Sequence, residues 1–328
     1  NLKIKAGVHM NLNTAAATDR FFIIKTADKK TTAKGMPYLD LMLCDKSGEI
    51  SAKLWDYKEE LQGMFSVGDI VKVRGTVSPY NGVDQLRVEK MRKAVPSDGV
   101  DPSELPSADL DGAAMFAELM GIAASFSDDE IKALVTEIYN DNREKLLYWP
   151  AAFRLHHAIR GGLLYHTLSI VRLAEAVCRI YPSVNRDLLI GGAMLHDIAK
   201  TTEFTVNDCG TASGYSLEGN LIGHLAKGAM MIEKTAGDLG TSEQTKLLLQ
   251  HMVLSHHGEP EFGAAVRPMF IEAELLSELD LMDARIYELE EAVGGTDSGE
   301  YTNKLWALDN RKFYNHGKSE VTTKAKLF

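Results

Sequence analysis

The sequence predicts two domains: a five-stranded β-barrel, then an all-α helical bundle. Three observations carry this. Five short runs of alternating apolar residues, separated by Gly- and Asn-containing turns, fill residues 1–95. From Pro96 to Asp111 the chain holds three prolines among small and acidic residues, which marks a linker. Beyond it, apolar residues recur at helical spacing to about Val293. The expected boundaries are 1–95 for the barrel, 96–111 for the linker, and 112–328 for the helical domain with its C-terminal tail.

The first expected strand runs from Arg20 to Thr26, rich in Phe and Ile. The second, Tyr38 to Cys44, alternates Leu39, Leu41 and Leu43 with polar or small partners. Ile50 to Trp55 follows the Asp45-Lys46-Ser47-Gly48 turn, and a short helix fits between Asp56 and Gln62. Asp69 to Val77 and Gln85 to Met91 complete the set, with turn signals at Lys34-Gly35, Val67-Gly68-Asp69 and Asn81-Gly82. This domain carries 16 basic and 11 acidic residues, a balance of +5, although the whole chain stands at −10. Phosphate backbones are attracted to such a surface. Single-strand binding further needs aromatic platforms beside cations. Trp55, Tyr57, Tyr80 and Phe22 are the stacking candidates, with Lys53, Lys72, Arg74 and Arg87 for phosphates. The leading set is Lys53, Trp55, Arg74, Tyr80 and Arg87, although most aromatics of a small barrel belong to its core.

In the helical region, Ser127-Asp128-Asp129-Glu130 starts a helix whose stripe is Ile131, Leu134, Val135 and Ile138. Further on, Leu195-His196-Asp197-Ile198-Ala199-Lys200 sets a His-Asp doublet inside an apolar run. A buried carboxylate costs several kcal/mol unless it is paired or bound to a cation. Four other sites resemble it: His166, His224, the pair His256-His257, and Asp280 with Asp283. Each lies in an apolar, helix-like segment, so five helices could direct ligands into one cavity. Imidazole and carboxylate suit Mn²⁺, Fe or Zn²⁺. The set suffices for two ions with Asp197 bridging them. Lys200, three residues beyond Asp197, can share its face and meet a phosphate oxygen, or simply end a helix at the surface. Either histidine of the pair could be the ligand, with His256 favoured and His257 as its alternate or a phosphate contact. His251 and His156-His157 read as structural or peripheral, although His157 could reach substrate. In the last helix the expected core stripe is Leu275, Leu279, Met282 and Ile286.

Three widely spaced cysteines without a CxxC pair argue for a reducing compartment and against a disulfide framework. No apolar run reaches the roughly 18 residues of a membrane helix, and no secretory signal is visible. The expected location is the cytoplasm. Homo-oligomerisation is compatible with exposed helical faces.

These motifs resemble known families. The His, His-Asp, His, His, Asp series is similar to the HD-domain superfamily of metal-dependent phosphohydrolases. That resemblance implies Asp280 as the ligand and Asp283 as a residue behind it. Five strands around one helix resemble an OB-fold. Together with Asp45-Lys46-Ser47-Gly48, Lys53-Leu54-Trp55, Gly162-Leu163-Leu164-Tyr165-His166, Leu254-Ser255-His256-His257-Gly258 and the tail Leu305-Trp306-Ala307-Leu308-Asp309-Asn310, the chain resembles the YhaM family. The family implies Mn²⁺-supported 3′→5′ removal of nucleotides from single-stranded RNA, in some cases DNA. Asp197 and Lys200 would be the catalytic residues, and His166, His196, Asp197, His224, His256, His257 and Asp280 the metal set. Its one noted departure is the acidic, Gly-containing stretch from Gly294 to Glu300. Two rival readings are an HD phosphohydrolase of nucleotides or cyclic dinucleotides, and a non-catalytic nucleic-acid binder. The Gly-Tyr-Pro triplet of the cyclic-dinucleotide enzymes does not occur here.

Overall fold

The computed structural model describes residues 17–32, 35–45, 48–65, 69–80, 83–100, 111–152, 160–206, 212–319 and 321. Lys34, Lys46, Ser47, Val67, Gly68, Asn81 and Gly82 of the expected turns, residues 101–110 of the linker, His156-His157, Cys209 and the Tyr80 side chain lie outside this description. Contacts group the residues up to Ser107 with Leu289–Ala325 in one compact unit, and Ala108–Glu288 in another.

Five strands build the first unit: β1 (Ala17–Thr31), β2 (Pro37–Asp45), β3 (Gly48–Trp55), β4 (Ile70–Tyr80) and β5 (Val83–Lys93). Helix α1 (Glu59–Gln62) lies between β3 and β4, where the sequence places it. The strands close in the order β1-β2-β3-β5-β4, with antiparallel pairing except between β3 and β5. Each is longer than its apolar run, because pairing continues into polar residues once a partner strand lies alongside. Side chains alternate between faces along a strand. Accordingly Leu39, Leu41, Leu43, Ala52, Leu54, Val71, Val73, Leu86 and Val88 point inward and are buried. Gly75 is required by proximity: a Cβ there would stand 2.3 Å from the Arg87 carbonyl oxygen. It sits at the irregularity between Arg74 and Gly75 where β4 bends against β5.

The second unit holds α2 (Gly112–Ala124), α3 (Asp129–Asp141), α4 (Arg143–Leu146), α5 (Gly162–Ile180), α6 (Arg186–Leu195), α7 (Lys200–Glu203), α8 (Leu217–Leu221), α9 (Gly223–Leu239), α10 (Glu243–Ser255) and most of α11 (Ile271–Gly294). Asp128 caps α3 by accepting from the Glu130 and Ile131 amides, and the stripe Ile131, Leu134, Val135 and Ile138 is buried. One apolar core joins these helices, with the buried run Leu188–Leu195 of α6 contributing most of its length. A short hairpin, β6 (Phe204–Val206) with β7 (Ala212–Tyr215), interrupts a region whose sequence signals are helical. Among the described residues, no helix is long and apolar enough to cross a membrane.

The last helix departs from its expected stripe. Ala273, Leu276 and Leu279 are buried, whereas Met282 and Ile286 are 39% and 44% exposed. Its inward face continues through Asp280 and Asp283 instead, since both carboxylates reach His166. Polar contacts decide the rotation of this helix as much as leucines do.

Candidate metal centre and nucleic-acid face

The His-Asp doublet does not sit within a helix. α6 ends at Leu195, and His196 to Ala199 form tight turns before α7 begins. Such a break frees backbone carbonyls that need donors. Three side chains supply them: Tyr139 Oη donates to the Met194 carbonyl at 2.9 Å, Trp149 Nε1 to Lys200 at 2.7 Å, and Lys145 Nζ to Thr201 at 3.0 Å. His256 likewise caps the end of α10, with His257 next to it. Two helix C-termini thus adjoin the cluster, and their partial negative charge favours cations. Close crossing of α6 and α10 brings the two ends together. A Cβ on Gly192 would stand 2.2 Å from Met252 Cε, so a larger residue would push these helices apart.

Asp197 is the centre of this cluster. It is 2% exposed, and its two oxygens face different neighbours. Oδ2 lies 3.6 Å from His166 Nε2 and 3.4 Å from His196 Nε2. Oδ1 lies 3.5 Å from His224 Nε2 and 3.7 Å from His256 Nε2. Asp280 Oδ1 stands 3.2 Å from His166 Nε2, on the Oδ2 side. His257 completes the other side, where the donor atoms of His224, His256 and His257 lie within 4.8 Å of one another. The structure therefore gathers all seven expected metal residues.

Four of the five imidazoles are oriented from behind, which fixes the nitrogen each presents. His196 Nδ1 donates to the Ala193 carbonyl at 2.7 Å and His256 Nδ1 to Val253 at 2.8 Å. His166 Nδ1 meets Asp283 Oδ2 at 2.8 Å, and His224 Nδ1 meets Glu203 Oε1 at 2.9 Å. Glu203 was missed from the sequence. Its signal was present, since it follows Lys200 by three residues and so returns to the same side of the chain.

Four buried atoms here have no hydrogen-bond partner among the described residues: Asp197 Oδ1, His224 Nε2, His256 Nε2 and His257 Nδ1. Buried polar atoms are rarely left so, and four converging lone pairs are what a divalent cation requires. The residues fit a metal. Burial opposes ionisation of Asp197, but Lys200 and the surrounding imidazoles hold its carboxyl well below the usual range. Burial would lower His166, yet Asp280 and Asp283 overcome it and push the pKa up to about 10. Burial drives His256 and His257 down, keeping them neutral and available as ligands. Lys200 donates to Asp197 Oδ2 at 2.6 Å, and burial, which would lower its pKa, is outweighed by that carboxylate. His251 stands apart, accepting from the Met269 amide at 3.0 Å beside the Phe270 ring.

On the barrel, the register places Tyr38 opposite Trp55, Asp40 opposite Lys53, and Lys53 beside Arg87. All four of Tyr38, Lys53, Trp55 and Arg87 therefore occupy the outer face of β2, β3 and β5. Tyr38 and Trp55 rings lie 4.8 Å apart, with Lys53 Nζ 5.0 Å and 5.8 Å from their centroids. Trp55 is 38% exposed. Tyr38 was not singled out from the sequence, although cross-strand pairing with Trp55 would have located it. Arg74 is exposed and lies 3.8 Å from Glu89, away from this group in register. Two stacking candidates belong to the core instead. Phe22 is fully buried, and Tyr57 packs against Phe65 while its hydroxyl donates to the Gly63 carbonyl.

Fold and cluster together define a metal-centre HD domain carried with an OB-fold barrel. Sequence families agree: the HD domain matches residues 163–285, and the OB-fold nucleic acid binding domain matches residues 27–94. The 3'-5' exoribonuclease YhaM of Listeria welshimeri serovar 6b is 36% identical over 307 residues, covering 93% of this chain and 97% of its own. The YhaM proteins of Listeria monocytogenes serotype 4b and Listeria innocua serovar 6a match to the same extent. This chain belongs to the YhaM family.

Proposed function

We propose that the chain is a metal-dependent phosphodiesterase that shortens single-stranded RNA from its 3′ end. The observation that carries this is the Asp197 carboxylate set between two groups of buried ligand atoms, in a chain alignable over 93% of its length with proteins named 3'-5' exoribonuclease. His166, His196, Asp197 and Asp280 would hold one divalent ion, and Asp197, His224, His256 and His257 a second. Mn²⁺ is the proposed ion, with Fe or Zn²⁺ compatible with the same donors. When bound, such a pair activates water and clamps a phosphate for in-line attack.

The remaining work falls to the chain's own groups. Asp197 is kept ionised and ready to offer both oxygens. Asp283 and Glu203 orient His166 and His224, and the Ala193 and Val253 carbonyls orient His196 and His256. Lys200 holds Asp197 in place and adds a positive charge beside the anionic phosphate. On the barrel, Trp55 with Tyr38 offers rings for base stacking, while Lys53 and Arg87 offer charge to the backbone. Division of labour between a strand-holding barrel and a hydrolytic helical domain follows. We place the protein in the cytoplasm.

The test is incubation with 5′-labelled single-stranded RNA, with and without Mn²⁺, beside Asp197→Ala. A metal-dependent ladder shortening from the 3′ end, absent in the variant, is expected. Intact RNA in every lane alongside turnover of mononucleotides would defeat this reading.

A further inference from the structure

Beyond the barrel face and the metal cluster, the C-terminal segment carries exposed aromatic residues that neither explains. Backbone hydrogen bonds fold residues 299–315 into a hairpin. Gly299 N donates to the Asn315 carbonyl at 2.8 Å, and Asn315 N donates to the Glu300 carbonyl at 2.9 Å. Thr302 N reaches Phe313 O at 2.9 Å, and Leu305 N reaches Arg311 O at 2.9 Å. Asp309 and Asn310 both take left-handed backbone angles, φ 58° and 55°, and make the turn. Asn315 Nδ2 ties the hairpin to the end of α11 by donating to the Thr296 carbonyl at 2.7 Å. Leu308 and Thr302 are buried and anchor one side.

Leu305, Phe313 and Asn315 are half-buried, and the large rings at Trp306, Tyr301 and Tyr314 face outward. Trp306 is 77% exposed, Tyr301 64% and Tyr314 50%, and the two tyrosines pair at 5.1 Å between centroids. The tyrosine pair spans the two arms of the hairpin, yet both rings keep half or more of their surface exposed, as does Trp306. They alternate with exposed cations: Lys304, Arg311 and Lys312 lie in the same hairpin, and Arg311 stacks over Phe313 at 5.2 Å. Within residues 299–315 these three cations stand against Glu300 and Asp309, a balance of +1 in a chain of net charge −10. Rings interleaved with cations are the recognition chemistry of single strands, in which bases stack and phosphates are neutralised.

We propose that this hairpin is a second strand-binding surface, engaging single-stranded RNA through Trp306, Tyr301 and Tyr314 with Lys304 and Lys312 on its backbone. The inference rests on the RNA reading above. The exposed Lys304 and Lys312 favour this occupant over a second copy of the same face, since phosphates would neutralise them whereas a seam between copies would bury them without a partner.

The full-length protein is titrated into a fluorescein-labelled 30-nucleotide single-stranded RNA in EDTA, read by anisotropy. Trp306→Ala is expected to bind about tenfold more weakly. Lys304→Glu with Lys312→Glu is expected to weaken binding and flatten its salt dependence. All these side chains are exposed, and circular dichroism of each variant confirms an intact fold. Wild-type affinity and salt slope in both variants would overturn the proposal while leaving the exonuclease reading standing. A change in sedimentation of Trp306→Ala without any change in RNA affinity would overturn it in favour of self-association. No binding by the wild-type protein, together with no shortening of RNA in Mn²⁺, would remove both readings at once.

Discussion

The metal cluster and the barrel face set their functional side chains under opposite conditions of burial. In the cluster, Asp197 and His256 are 2% and 1% exposed, so each ionisable group needs a partner or a cation. On the barrel, Trp55 and Arg87 are exposed and Lys53 is half-buried on the outer wall, where water reaches the face and each contributes modestly. The difference is one of tolerance. A buried polar network fails when one member is lost, whereas an exposed face loses affinity by degrees.

The largest expected effect comes from the shared carboxylate. Asp197→Ala should lower phosphodiester hydrolysis by at least about a thousandfold, read by gel from labelled RNA. Behind the ligands the effect should be smaller but specific. Glu203→Gln leaves His224 without its carboxylate partner, and should weaken metal affinity by about 10–100-fold, measured by titration with Mn²⁺. A unit in which Glu203→Gln changes nothing would show that His224 is not oriented by this contact.

The barrel offers a sharper contrast between adjacent aromatics. Trp55→Ala should weaken RNA binding by about tenfold without altering thermal stability. Tyr57→Ala should do the reverse, lowering stability by about 3–5 kcal/mol in denaturant melts of the folded chain. If both behave alike, the outer face is not the strand-binding face. Smallest in scale is a pH effect in chelated protein. His166 has a raised folded pKa, about 10, so its contribution is complete below the ordinary histidine value and is lost as pH rises toward 10. The metal-stripped protein should therefore melt a few degrees lower at pH 9.5 than at pH 7, and Asp283→Asn should reduce that difference.

These contrasts also explain what could be read from the sequence. His196-Asp197 stood out because charge inside an apolar run is costly, and the histidine series around it shared that anomaly. All seven expected metal residues come together for this reason. The five strands were legible because alternation needs only a one-sided core. Phe22 and Tyr57 could not be separated from Trp55, since strand position and pairing decide which aromatic faces out. Of the expected α11 stripe Leu279 is buried and Leu275 packs against the core, but Met282 and Ile286, which satisfy helical spacing as well as Ala273 and Leu276 do, face outward. Rotation of that helix is settled by Asp280 and Asp283 reaching His166, a contact across more than 110 residues. The β6–β7 hairpin was hidden because two strands of three and four residues leave too short a pattern.

The central claim is that Asp197 joins two metal positions. Metal content of the chain, equilibrated with Mn²⁺ and freed of excess, measures this directly by inductively coupled plasma mass spectrometry. The account predicts two ions per chain in the wild type and fewer in Asp197→Asn. One ion or none per wild-type chain, with full hydrolytic activity, would contradict it.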